Sequence, residues 1–441
     1  MSFDAFPFWV FLLAVWGGCL LVRHNAARKA LLIAASYFLY TTFRPANVFL
    51  LLAVTAGSYA IGIAVQKGRR PTLLAAGVCA AVSGLVAAKQ WLMPLPVGVS
   101  FYMLQAIAWM VDSYRGNVAA PGGLFDYTLY LSFFPKLTAG PIARAEDFLP
   151  QLAKRPPFDS AALWEALTRI VLGLFKKLAI ADNLGVVVDP VFADLHASPA
   201  RILLATYAFA VQIYCDFSGY SDIALGTARL FGYRLPENFN WPYLARNPAD
   251  FWRRWHISLS TWLRDYVYFS LPGLRARSKI PSYVNLSITM VACGLWHGFG
   301  WTYALWGLYH GLLLVAYHAR RVAAREAAAG PATLGSILLM QQLAVIGWIL
   351  FRLNRISDLP VYLASLTHGP FFAGFSPEEW LALALLVAVA LVHVIEPHVP
   401  VMDNVLAHRW NPWLLTALLA IAMATAILSV PQQQVFLYFR F

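Results

Sequence analysis

The chain has 441 residues, of which 60% are hydrophobic, 15% aromatic and only 12% charged, with a net charge of +12. A soluble chain of this length would normally carry about twice that share of charge, so a soluble globular protein is excluded. The basic residues sit mostly in short loops between apolar blocks, as topology-setting loops do, and do not form a nucleic-acid surface.

Apolar blocks fall at 6–22, 30–42, 46–65, 72–88, 98–111, 124–139, 202–231, 283–299, 301–318, 334–351, 380–395 and 412–430. A helix needs roughly 17–25 apolar residues to cross a bilayer core. Shorter blocks such as 98–111 suit re-entrant or tilted helices buried in a bundle. The pattern predicts an all-α polytopic membrane protein, one domain over 1–441, with about ten or eleven transmembrane helices plus re-entrant and interfacial helices. The first block, Phe6 to Val22, lacks a basic leader and is followed by Arg23, so it is expected to be a retained span. Loops carrying Arg23, Arg28 and Lys29, then Lys67, Arg69 and Arg70, then Arg320, Arg321 and Arg325 are placed in the cytoplasm, which puts the N-terminus outside. Cys19, Cys79, Cys215 and Cys293 all lie in apolar stretches and read as small buried hydrophobes.

Two segments depart from this pattern. Over 160–180, Leu163, Leu167, Ile170 and Leu174 share one helical face, with Glu165, Arg169 and Lys176 elsewhere and Asp159 and Ser160 as caps. This predicts an amphipathic helix near the interface. Over 232–282, Arg234, Arg246, Arg253, Arg254, Arg264, Arg275, Arg277 and Lys279 face Glu237, Asp250 and Asp265, interleaved with Trp241, Trp252, Trp255 and Trp262. Basic residues mixed with tryptophan suit a cytoplasmic interfacial region.

Three polar islands carry candidate chemistry. Residues 280–319 contain no Lys, Arg, Asp or Glu, enough chain for a helical hairpin, yet hold Trp296-His297-Gly298 and Tyr309-His310-Gly311. A titratable ring in hydrocarbon is costly unless it faces a cavity or partner, and imidazole suits proton transfer near neutral pH. Gly298 and Gly300 allow close approach of backbone or ligand beside His297. For His310 the favoured reading is a core histidine bonded to a backbone carbonyl. The second island, Phe251 to Tyr266, combines aromatic, basic and hydroxyl side chains around His256 and Ser258. It reads either as an interfacial belt or as a surface for an anionic, nucleotide-like donor. The third, Gln212 to Asp222, holds Asp216 and Asp222 at a spacing that does not share a helical face, so a metal pair is not expected. Gly219 offers a local helix break.

Together these islands resemble the membrane-bound O-acyltransferases, with the bacterial alginate O-acetyltransferase branch nearer than the D-alanine transfer proteins of teichoic acid modification. The resemblance rests on Leu95 to Tyr102, Phe134 to Ile142, the island around Asp216, Glu237-Asn238-Phe239, Phe251 to Tyr266, Gly294 to Gly298 and Trp306 to Gly311, dense over about 95–315. It departs after Leu271-Pro272-Gly273, where Leu274-Arg275-Ala276-Arg277 replaces the Asn-Arg-Gly-Gly of the alginate-type pattern.

The resemblance implies His297 as catalytic histidine and His256 as the second functional one, in helices arranged around a central tunnel. It implies a cytoplasmic acyl thioester donor, acetyl-CoA, as substrate, with no tightly bound cofactor and no metal. Arg253, Arg254 and Arg264 are candidates to hold donor phosphates, with Trp296, Ser258 and Asp216 as further binding residues. His297 would act as general base on an acceptor hydroxyl or form an acyl-imidazole, and His256 is a candidate donor to the oxyanion. The expected setting is multi-pass in a bacterial inner membrane, with lipid and a periplasmic polysaccharide-modifying acetyltransferase as partners and no nucleic acid. The alternatives are a transporter or flippase of an acylated or lipid-linked intermediate, and a scaffold for a secretion complex.

Overall fold

The computed structural model describes residues 3, 6–92, 95–118, 123–154, 156, 159–273, 279–323, 333–372 and 374–395, with a few positions beyond. Residues 274–277 and Arg325 lie outside the described residues, as does most of the 412–430 block. All regular structure among the described residues is helical. Two compact units emerge, 1–173 with 220–237 and 174–219 with 238–441.

In the first unit, α1 (Phe6–Leu21), α2 (Asn25–Thr41), α3 (Asn47–Gly68) and α4 (Pro71–Trp91) precede α5 (Val99–Arg115). The block expected to be a short buried helix is α5, which packs on α3 and α4 and is buried over nearly its whole length. The 124–139 block divides into α6 (Leu124–Ser132) and α7 (Phe134–Leu137), the break falling at Phe133 ahead of Pro135. Then come α8 (Ala145–Phe148) and α9 (Ser160–Leu174).

Asp159 caps α9 by accepting from the Ala161 N–H at 3.0 Å. Of the expected face of α9, Ile170 is buried, Leu163 and Leu174 are half-buried and Leu167 is exposed, while Ala162, Ala166 and Gly173 are buried. Close helix approach decides this. A Cβ on Gly226 would lie 2.6 Å from the Ala166 carbonyl oxygen, so only small residues fit where the two backbones meet. Leu167 is left for the outer face.

In the second unit a π-helical turn, Phe175–Ala181, leads into α10 (Asp182–Ala193). The helix α11 (Pro199–Leu230) is one continuous element of 32 residues that contributes to both units. Gly219 therefore does not break it, and its Asp216 and Asp222 take different partners. Asp222 meets Arg169 at 3.4 Å in the first unit. Asp216 meets Lys177 at 2.8 Å in the second.

The polar 232–282 stretch folds as short pieces, α12 (Pro248–Arg254) and α13 (Ile257–Trp262), followed by a π-helical turn over Leu263–Val267. The predicted hairpin is α14 (Ile280–His297) and α15 (Trp301–Ala323), followed by α16 (Leu334–Arg352), α17 (Asp358–Ser365) and α18 (Pro377–Ile395). Glycines close that hairpin. A Cβ on Gly294 would lie 2.1 Å from the Tyr303 carbonyl oxygen, and one on Gly307 would lie 2.3 Å from that of Met290.

The protein is polytopic. Among the described residues α3, α4, α11, α16 and α18 are long and apolar enough to cross a bilayer. The remaining helices are shorter or more polar, as partial and interior helices are. On α14 and α15, Asn285, Thr289, His297, Thr302 and His310 are polar and buried. Cys19, Cys215 and Cys293 are buried as expected, whereas Cys79 is exposed on α4, a candidate span whose outer face is apolar.

Candidate active site

The candidate site lies in the second unit and is built on aromatic contacts. Asn247 caps α12 by accepting from the Asp250 N–H at 2.9 Å. After Arg254 the chain leaves the helix at Trp255, extended, and turns at His256 with φ 40° and ψ 55° before α13 begins. A left-handed non-glycine residue costs about 1–3 kcal/mol and persists where its surroundings over-determine it. Asn238, fully buried, supplies that constraint. Its backbone carbonyl accepts from the Ile257 N–H at 2.9 Å, and its side-chain Oδ1 accepts from the Ser258 hydroxyl at 2.6 Å.

The strained turn buries the His256 ring to 1% exposure. Phe217 of α11 meets it edge-on at 4.7 Å between centroids. His256 lies outside the five candidate spans, and burial lowers its imidazole from the ordinary value to about 3, so it is neutral near pH 7.

His297 is the last residue of α14 and is also buried. Its ring meets Trp306 at 5.4 Å and Phe351 at 5.1 Å, both edge-on. The space that Gly298 leaves is taken by the Tyr303 ring, since a Cβ there would lie 2.4 Å from it. Trp296 joins the two histidines, its ring 6.1 Å from that of His256 and 4.9 Å from that of His297. The 251–266 segment thus does enter the interior, and it brings two of the predicted residues to one indole.

The other predicted residues have separate places. Ser258 serves the Asn238 clamp. Arg254 is held by Asp250 at 2.9 Å and donates to the Asn240 carbonyl at 3.2 Å. Arg264 pairs with Asp265 at 2.7 Å, and Arg253 is exposed. Asp216 lies in a buried ion cluster with Lys177, which also meets Asp182 at 2.7 Å. Three of the four tryptophans of this stretch do not form an interfacial belt, because Trp252, Trp255 and Trp262 are buried, while Trp241 is half-buried. Trp255 packs on Trp348 at 4.7 Å, so these rings build the core around the short helices.

His310 differs from the expected carbonyl-bonded histidine: neither ring nitrogen has a hydrogen-bond partner among the described residues. Sequence reasoning passed over Asn238, Lys177, Phe217 and Phe351. Asn238 lies within the Glu237-Asn238-Phe239 motif already singled out, and Lys177 follows Lys176 in an otherwise apolar run. Either could have been marked as a buried polar group that requires a partner.

The membrane-bound O-acyltransferase family model matches residues 84–330. The chain belongs to this family. Among its relatives, the probable alginate O-acetylase AlgI of Pseudomonas fluorescens is 36% identical over 395 residues, 86% of this chain and 77% of that protein. The probable AlgI of Azotobacter vinelandii is 35% identical over 424 residues, 90% of this chain and 84% of that protein. The peptidoglycan O-acetyltransferase of Helicobacter pylori is 35% identical over 298 residues, 60% of this chain and 55% of that protein. As a member of the membrane-bound O-acyltransferases the chain is an acyltransferase, which sets aside the transporter and scaffold alternatives. The matched span contains α12 to α15 and both candidate histidines.

Proposed function

We propose that the protein transfers an acetyl group from a cytoplasmic thioester, acetyl-CoA, to an extracytoplasmic polysaccharide in a bacterial inner membrane, with its N-terminus outside. A periplasmic transferase is its proposed partner. The observation that carries this reading is the convergence of His256 and His297 on Trp296 in a buried setting, within a chain related to polysaccharide O-acetylases.

In this reading His297 takes the proton of an acceptor hydroxyl as its oxygen attacks the thioester carbonyl carbon. The C–S bond then breaks, and the imidazolium returns the proton to the departing thiolate, leaving an acetyl ester and free thiol. The C-terminal end of α14, where carbonyl groups concentrate, favours the transient positive charge on His297. His256, neutral and held in a strained turn, is the group assigned to donate a hydrogen bond to the oxyanion, where such donors act strongly in a water-poor site. A tunnel for the donor's pantetheine arm completes the proposal, with exposed Arg253 as the candidate phosphate contact and Arg254 and Arg264 already engaged by carboxylates.

The test is His297→Ala in cells, with membrane insertion followed by fractionation and glycan acetylation by mass spectrometry. Removing a general base costs about 10²–10⁴-fold in rate, so acetylation is expected to vanish while insertion persists. Wild-type acetylation in that variant would refute the assignment.

A further inference from the structure

Beside the two histidines already described, three buried side chains share a second polar centre. His310 and Trp306 on α15 are each 1% exposed, and Trp252 on α12 is 9% exposed. Ring centroids lie 5.2 Å apart for Trp252 and His310, 5.1 Å for Trp306 and His310, and 5.8 Å for Trp252 and Trp306. Neither imidazole nitrogen of His310, nor the indole nitrogen of Trp252 or Trp306, has a hydrogen-bond partner among the described residues.

One such group costs about 1–3 kcal/mol when buried unsatisfied. Native interiors satisfy nearly all of them, with protein or with a bound guest. Three in mutual contact point to a single shared guest rather than to three separate defects. The inventory of hydrogens restricts what that guest is. An indole only donates, and a neutral imidazole donates from one nitrogen and accepts at the other. The imidazole nitrogens point apart, so one small guest meets the two indole N–H donors and a single imidazole nitrogen, which accepts in one tautomer and donates in the other. A carbonyl has two lone pairs and no hydrogen, so it cannot satisfy all three groups, and a cation cannot accept from the indoles. A hydroxyl accepts from both indoles and donates to the imidazole.

We propose that Trp252, Trp306 and His310 form a buried hydroxyl-binding site, distinct from the His256–Trp296–His297 cluster. Water and an alcohol share this chemistry. Gly347 of α16 maintains the site's wall, since a Cβ there would lie 2.6 Å from His310 Nε2 and push the ring aside. Trp306 also meets His297 at 5.4 Å, so a guest on its indole N–H sits one ring away from the candidate catalytic histidine. If the acyl-transfer reading holds, an alcohol bound here is a candidate acceptor hydroxyl. The hydroxyl site itself does not depend on that reading.

The experiment is high-resolution electron cryo-microscopy of the full chain in nanodiscs, with and without glycerol, at a resolution where other buried waters are visible. A peak within hydrogen-bonding distance of His310 and an indole nitrogen without glycerol identifies water. A peak that appears only with glycerol identifies an alcohol site. Either result supports the proposal, and an empty centre in both states, or a protein group filling it, overturns it. Ultraviolet resonance Raman spectra supply an independent readout that needs no turnover. The indole hydrogen-bond marker is expected to shift towards free N–H in His310→Phe and to stay near wild type in His310→Gln, which can still hold a hydroxyl. An unchanged marker in His310→Phe counts against the site.

Discussion

Two neighbouring residues of α11 lead into two different kinds of buried centre. Asp216 joins Lys177 and Asp182 in an ion cluster, with Lys177 and Asp216 almost fully buried. Phe217, the next residue, packs on His256, beyond which Trp296 and His297 follow. In the first centre one buried ammonium is shared by two carboxylates. In the second, groups that can be neutral are packed among rings. Buried ions cost several kcal/mol each unless paired, so the ion cluster suits a fixed structural role. Neutral imidazoles carry no such charge penalty, and their ordinary titration range suits proton transfer near neutral pH. One helix thus borders an ion cluster and the candidate site at adjacent positions of the chain.

Breaking the ion cluster is expected to have the largest effect on stability. Lys177→Met leaves two carboxylates without their cation, a loss of about 3–5 kcal/mol for a broken buried pair, measured by unfolding in detergent. Adding Asp216→Asn to Lys177→Met is expected to restore part of it. If Lys177→Met is as stable as wild type while acyl transfer disappears, the division of roles between the two centres is wrong.

The next effect concerns the hairpin that carries His297. Gly307→Ala places a methyl against the Met290 carbonyl. It is expected to destabilise by about 1–3 kcal/mol, as overpacking does, with thiol release falling alongside.

A smaller effect separates the two sides of His256. Asparagine tolerates the left-handed backbone better than alanine does. His256→Asn is therefore expected to unfold at higher denaturant than His256→Ala, by about 0.5–1 kcal/mol, while both lose acyl-transfer rate. Equal stability would show that the φ of 40° is not what this position demands. An effect of similar size is expected at the clamp: Ser258→Ala removes one buried hydrogen bond to Asn238, about 0.5–1.5 kcal/mol.

Much of this arrangement is legible in the sequence, because long apolar blocks and histidines inside charge-free apolar stretches are strong signals. The hairpin of α14 and α15 followed from a stretch free of charge, and α5 from a block too short to cross alone. Periodicity misled on α9, where backbone proximity at Gly226 selected Ala162 and Ala166 over Leu167 for the buried face. Composition misled over 232–282, since tryptophan beside arginine reads as an interface whether its rings point outward or build a core. Arg28 and Lys29, read as topology charges, are engaged within the first unit by Tyr233 and Asp126. The partner of a charge is a long-range fact that local pattern does not contain.

Thioester turnover on the purified protein tests the central claim most directly. Detergent-solubilised wild type, incubated with acetyl-CoA and a glycan acceptor, is followed by thiol release beside His297→Ala of matched thermal stability. Steady release is expected from wild type, with a loss of at least about 10²-fold in the variant. Equal release from the two proteins would contradict it.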